Sequence, residues 1–146
     1  MSVVHAATPG DQLHALFERE WDRTMRESPT WASSLGDRRF NREWPDLSLE
    51  AIAQSHELDQ AVLEDLHQID FDQLSPEDKI NFRLFERKYQ QQVEGYEFGW
   101  HLVPLNQRGG IQDEGSTADS LRFETVQDYE DWIARMRAFP IYMDQT

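Results

Sequence analysis

Apolar residues recur at helical spacing along most of this chain. Leu13, Phe17, Trp21 and Met25 follow one another every four residues, with Leu16 beside them, which is the stripe of an amphipathic helix. In front of it, Thr8-Pro9-Gly10-Asp11 places a cap hydroxyl, a proline at the first helical position and an acid three residues after the cap. Ser28-Pro29 ends this helix and opens a short second one, which carries Trp31 and Leu35 and stops at Gly36. Ser48 caps a third helix with Ile52, Leu58, Val62, Leu66 and Ile69 on one face. Ser75-Pro76-Glu77-Asp78 repeats the cap, proline and acid signature. It starts a fourth helix reaching about residue 97, with a stripe of Ile80, Leu84, Tyr89, Val93 and Tyr96 widened by Phe82 and Phe85. Thr125-Val126-Gln127-Asp128 starts a fifth, bearing Tyr129, Trp132, Ile133 and Met136, with Pro140 kinking or restarting it. Residues 36–47 read as a loop that packs Phe40 and Trp44 and pairs Arg38, Arg39 and Arg42 with acids. Residues 100–124, broken by Pro104, Gly109, Gly110 and Gly115, read as a long loop. No strand pair with a hairpin turn and no internal repeat occurs.

The pattern predicts an all-α chain of about five helices in an antiparallel array. Residues 1–7 read as a disordered tail or signal-peptide remnant, and residues 8–146 as a single helical domain. The last residues, Ile141 to Thr146, carry no glycine, terminal base or polar tail. They read as a helix cut in progress and so predict the N-terminal part of a larger helical fold.

Composition narrows the function classes. With 28 acidic and 14 basic side chains the formal charge is −14, so nucleic-acid phosphates would be repelled. Residues 48–100 hold more than half of that charge, which reads as solvated helix faces or, on a functional reading, as a surface for a basic partner. There is no cysteine, which excludes disulfides, thiol catalysis and thiolate-ligated metals. No run of 18 apolar residues is present, so no membrane span is predicted. Val4-His5-Ala6 before Ala7 fits a signal-peptidase site and predicts a periplasmic or secreted protein whose leader is missing. A native start at Met1 would instead keep it in the cytoplasm.

The strings that suggest chemistry fall short of it. His56-Glu57-Leu58-Asp59-Gln60 is half of HExxH, but a zinc helix needs a second imidazole four residues on, where Gln60 stands. Glu64-Asp65-Leu66-His67 has the Glu-x-x-His spacing of di-iron bundles without a second copy. His56 and His67 share a face but lie roughly 16 Å apart along a helix. Ser33 and Ser34 lack a nucleophile elbow and read as surface residues. Gly109-Gly110 lacks a phosphate-loop context. No catalytic residue and no metal ligand is therefore assigned. Leu102-Val103-Pro104-Leu105-Asn106-Gln107-Arg108 runs from apolar residues into two amides and a base before a glycine pair. Asn106, Gln107 and Arg108 are the candidate binding residues, either satisfying their own loop or lining a ligand cleft.

Several of these segments together carry a resemblance. They are Glu27-Ser28-Pro29-Thr30-Trp31-Ala32 with Leu35-Gly36-Asp37, Trp44-Pro45-Asp46-Leu47-Ser48, Pro104-Leu105-Asn106-Gln107 with Gly109-Gly110, and Asp128-Tyr129 with Trp132, Arg135 and Phe139-Pro140. The chain resembles the N-terminal quarter of the bacterial domain of unknown function 885 family. The resemblance implies an all-helical, exported protein similar to the zinc peptidases of the thermostable carboxypeptidase and neurolysin group. It implies zinc for the full-length family, with an HExxH motif downstream of the matched region, and so no cofactor and no activity in this chain. The implied partners are the remainder of the full-length protein or a second copy, with a peptide as substrate. The alternative is a complete small acidic helical module that binds a basic peptide or protein.

Overall fold

The computed structural model describes residues 7–103 and 110–146. Six α-helices occur among them: α1 (Pro9–Glu27), α2 (Pro29–Ser34), α3 (Leu49–His67), α4 (Pro76–Glu97), α5 (Thr117–Ser120) and α6 (Val126–Asp144). The described residues contain no strand, so the chain is all-α. Short 3-10 turns at Arg38–Phe40 and Phe71–Gln73 fill the connections before and after α3. Within 100–124 the described residues also turn, at Trp100–Leu102, at Ile111–Ser116 and in the single turn of α5.

The helix starts follow local chemistry. Thr8 Oγ1 accepts the Asp11 amide at 3.2 Å while the Thr8 amide donates to the Asp11 carboxylate at 2.9 Å. Thr125 and Asp128 repeat this reciprocal box at α6. Ser75 Oγ accepts the Asp78 amide at α4, and Ser48 Oγ that of Ala51 at α3. Each satisfies a backbone donor that the first turn leaves without an intrahelical acceptor. The paired hydrogen bonds from Thr8 and Thr125 hold the Asp11 and Asp128 carboxyls below the usual carboxylate range. After α2, Gly36 takes a left-handed φ of 89°, which a residue with a Cβ adopts only under strain. Pro140 does not restart α6: the helix runs through it to Asp144.

The chain divides into two units, residues 1–21 with 53–99 and residues 22–52 with 100–146. The first has a core of Leu13 and Leu16 from α1, Val62 and Leu66 from α3, Ile69 and Leu74 from the connection, and Phe82 and Tyr89 from α4. Phe17, Phe85 and Tyr89 continue it as a chain of rings with centroids 4.7 Å apart. The Tyr89 hydroxyl donates to the buried Glu20 carboxylate, which Arg19 also holds at 3.0 Å. The α4 face differs from the predicted stripe. Phe82 and Tyr89 are 4% and 0% exposed, whereas Ile80 and Leu84 are each 63% exposed. The helix carries two apolar rows nearly opposite each other, and the row with aromatic rings buries more area. On α3 Leu58 shares a face with Val62 and Leu66, but it is exposed while those two and Ile69 are buried. Along the first stripe only Trp21 is largely exposed, while Leu13 and Met25 are buried.

In the second unit Trp44 is the hub. Its ring stacks on Tyr142 at 5.1 Å and 8°, and contacts Phe139 at 5.1 Å and Trp132 at 6.5 Å. Its indole N–H donates to the Arg135 carbonyl at 2.7 Å. The Gln145 side chain ties the Leu47 amide and the Asp46 carboxylate just ahead of α3.

Replacing Phe82 by Ala is expected to cost about 3–5 kcal/mol in urea unfolding, against within about 0.5 kcal/mol for Ile80→Ala; equal costs would contradict the face assignment. A second expectation concerns pH. His14 Nε2 lies 2.8 Å from the Asp78 carboxylate. That hydrogen bond raises the imidazole above its ordinary 6.5 and lowers the carboxyl below 3.8. The His14 contribution to stability is complete below pH 6.5 and is lost as pH rises through the raised value. The Asp78 contribution is complete above pH 3.8 and is lost as pH falls through the lowered value. An NMR titration should place the His14 midpoint above 6.5, and Asp78→Asn should bring it back down.

Candidate functional site

The sequence-predicted binding residues Asn106, Gln107 and Arg108 lie outside the described residues. The histidine strings are engaged in other ways. His56 stacks on Tyr96 with centroids 4.0 Å apart and lies 3.1 Å from Gln60 Nε2. His67 pairs with Glu86 at 2.9 Å. Among the described residues no three His, Asp or Glu side chains are grouped to hold a metal ion.

A cavity of about 230 Å³ lies in the second unit, walled by α2, the 38–41 turn, the 120–124 segment and α6. Its walls include Ser33, Arg38, Asn41, Phe123, Asp128 and Trp132. Local structure dictates what each presents. The capping box of α6 fixes Asp128, whose carboxylate accepts the Glu124 and Thr125 amides at 3.0 and 2.8 Å. Arg38 bridges Glu124 at 2.8 Å and Asp128 at 3.4 Å across the mouth. Phe123 meets Trp132 edge-on at 6.4 Å and supplies the apolar wall.

Behind this cavity sits Arg135, a fully buried cation. Its Nη2 donates to Ser33 Oγ and to the Phe40 carbonyl, both at 2.8 Å, with the Pro29 carbonyl at 3.4 Å. Its Nε and Nη1 have no hydrogen-bond partner among the described residues. Burial pushes the guanidinium below its usual range, opposed by the fields of Glu114, Glu43 and Asp131. The guanidinium lies 5.8 Å from the Trp44 ring, a further source of stabilisation for a desolvated cation. Glu114 also accepts the Tyr142 hydroxyl at 3.3 Å, and burial raises that phenol to about 12.

Ser33, which the sequence placed at the surface, is buried, because Arg135 and Asn41 close over its hydroxyl. The single hydroxyl proton serves either the Pro29 carbonyl at 2.8 Å or Asn41 Oδ1 at 2.7 Å, while the oxygen accepts from Arg135. A serine held by a cation, a carbonyl and an amide has no base to take its proton, so this is not an activated nucleophile. The cavity therefore offers binding chemistry: amide and hydroxyl groups, a bridged arginine and an aromatic wall. Two features of the sequence bear on this site, Thr125 to Asp128 as a cap and Arg135 within the segments that carry the resemblance. Neither could show that Ser33, Asn41 and Arg135 converge, since Arg135 lies 102 residues from Ser33 in the chain.

Residues 29–52 and 100–146 of this unit fall within the region that a family model recognises. The model described as "Bacterial protein of unknown function (DUF885)" matches residues 29–146, and the chain belongs to that family. No curated protein and no solved structure matches the chain.

Replacing Arg135 by Met keeps much of the volume but strands the Ser33, Phe40 and Pro29 acceptors. The expected loss is roughly 2–4 kcal/mol, with faster amide exchange in α2. A loss under about 0.5 kcal/mol, the range of ordinary surface changes, would show that the guanidinium does not hold α2.

Proposed function

We propose that this chain is a peptide-contacting helical portion of an exported, metallopeptidase-like protein and that it carries no catalytic residue of its own. Its helices wall one side of a substrate cleft, and the 104–110 segment contacts either the cleft or the remaining protein. The observation that carries this reading is the approach to that segment. Leu102 and Val103 are exposed, apolar and adjacent, and they lead directly into Pro104-Leu105-Asn106-Gln107-Arg108. Apolar side chains followed by two amides and a base suit an extended peptide, whose side chains need apolar contacts and whose backbone needs donors and acceptors. The cavity lined by Ser33, Arg38, Asn41 and Trp132 adds polar and aromatic groups suited to binding. Zinc and the hydrolytic step belong, on this reading, to a part of the protein downstream of Thr146.

The test has two arms. Peptide mixtures added to this chain with zinc present should shift NMR signals of Leu102, Val103 and Gly110 without being cleaved. In the full product of the encoding gene, Asn106→Ala with Gln107→Ala should raise KM for peptides several-fold and leave kcat within about twofold. Cleavage by this chain alone would overturn the reading. So would a double variant whose stability and turnover both match the parent.

A further inference from the structure

We propose that α6 pairs antiparallel with α6 of a second copy of this chain. The helix has two faces repeating every seven residues. Asp128, Arg135 and Tyr142 are buried in their own unit. On the outer face Val126, Tyr129, Ile133, Met136 and Met143 are 75, 56, 49, 46 and 51% exposed, with exposed Pro140 between the last two. The outer spacing alternates three and four residues, averaging 3.5, which is the seam of a two-helix coiled coil rather than the broader face of a core helix.

Charge on the edge of this seam identifies the occupant. Glu130 and Arg137 are both exposed, lie seven residues apart along one edge and form no ion pair among the described residues. In an antiparallel pair, like edges face each other. A twofold axis midway between Ile133 and Met136 sets Ile133 against the partner subunit's Met136 and Val126 against the partner subunit's Met143. The same axis brings Glu130 opposite the partner subunit's Arg137, within about 3 Å along the helix, and symmetry makes that pair twice. A parallel pair would set this edge against Thr125, Trp132 and Phe139 of the other helix, where Glu130 and Arg137 meet no opposite charge. The surface is thus complementary to itself in one orientation. One helix pair buries less than the roughly 1,200 Å² of a standard complex, so the dimer is expected to dissociate on dilution.

Sedimentation equilibrium of the 146-residue chain over a concentration series should show reversible monomer–dimer exchange. Ile133→Glu, with helicity checked by circular dichroism, should weaken association at least about tenfold. Glu130→Arg and Arg137→Glu should each weaken it, and the two together should restore it. Since the chain has no cysteine, orientation can be read by oxidation. Val126→Cys mixed with Met143→Cys should cross-link, whereas Val126→Cys alone should not, its two sulfurs lying about 25 Å apart. A monomer at every concentration, an Ile133→Glu variant that associates like the parent, failure of the double charge swap to restore association, or self-cross-linking of Val126→Cys would each overturn the proposal.

Discussion

The second unit depends on one desolvated charge. Arg135 has left water entirely, and removing a guanidinium from solvent is costly unless hydrogen bonds and opposing fields offset it. The offset comes from three sources: the α2 backbone and Ser33, the Phe40 carbonyl, and the carboxylates of Glu43, Glu114 and Asp131 at longer range. A cation with such demands specifies one arrangement, because a shift of α2 or of the 38–40 turn would leave it with fewer acceptors. The Trp44 indole reinforces the same point by donating to the Arg135 carbonyl, so backbone and side chain of one residue organise both sides of the unit.

The first unit is built differently. Its core is aliphatic and aromatic, and beside it the buried Glu20 carboxylate is held by Tyr89 and Arg19. Dispersion and area burial dominate there, and they tolerate exchange of similar volumes. A hydrogen-bonded charge does not. The unit with the directional network is also the one that carries the cavity, which is consistent with a site needing side chains held in place by neighbours.

Charge has a similar logic at the surface. The chain is strongly acidic, yet the arginines of the 36–47 segment are bound internally: Arg38 to Glu124 and Asp128, Arg39 to Asp22 and Asp37, Arg42 to Asp131. The bases of that segment are thus each matched by an acid of the same unit. Glu130 and Arg137 stand apart on the outer edge of α6, and their position beside the apolar seam gives that face its self-complementarity.

Helix class, helix starts and most helix ends were legible because they rest on contacts within one turn: a hydroxyl and an acid three residues apart, a proline at the first position, a glycine with positive φ after the last. Thr8, Ser75 and Thr125 needed no distant partner to be recognised. The bond pattern of the 36–47 loop was legible in kind, since bases beside acids and aromatics must pair and pack, but the acids that Arg38 and Arg42 chose lie some ninety residues away. The choice between the two apolar rows of α4, the burial of Ser33 and the convergence of Ser33, Asn41 and Arg135 were decided only by tertiary structure. Periodicity reports that a helix has an apolar face; which of two faces is covered, and which polar group is drawn inside with it, depends on the area and hydrogen-bonding capacity of elements distant in the chain.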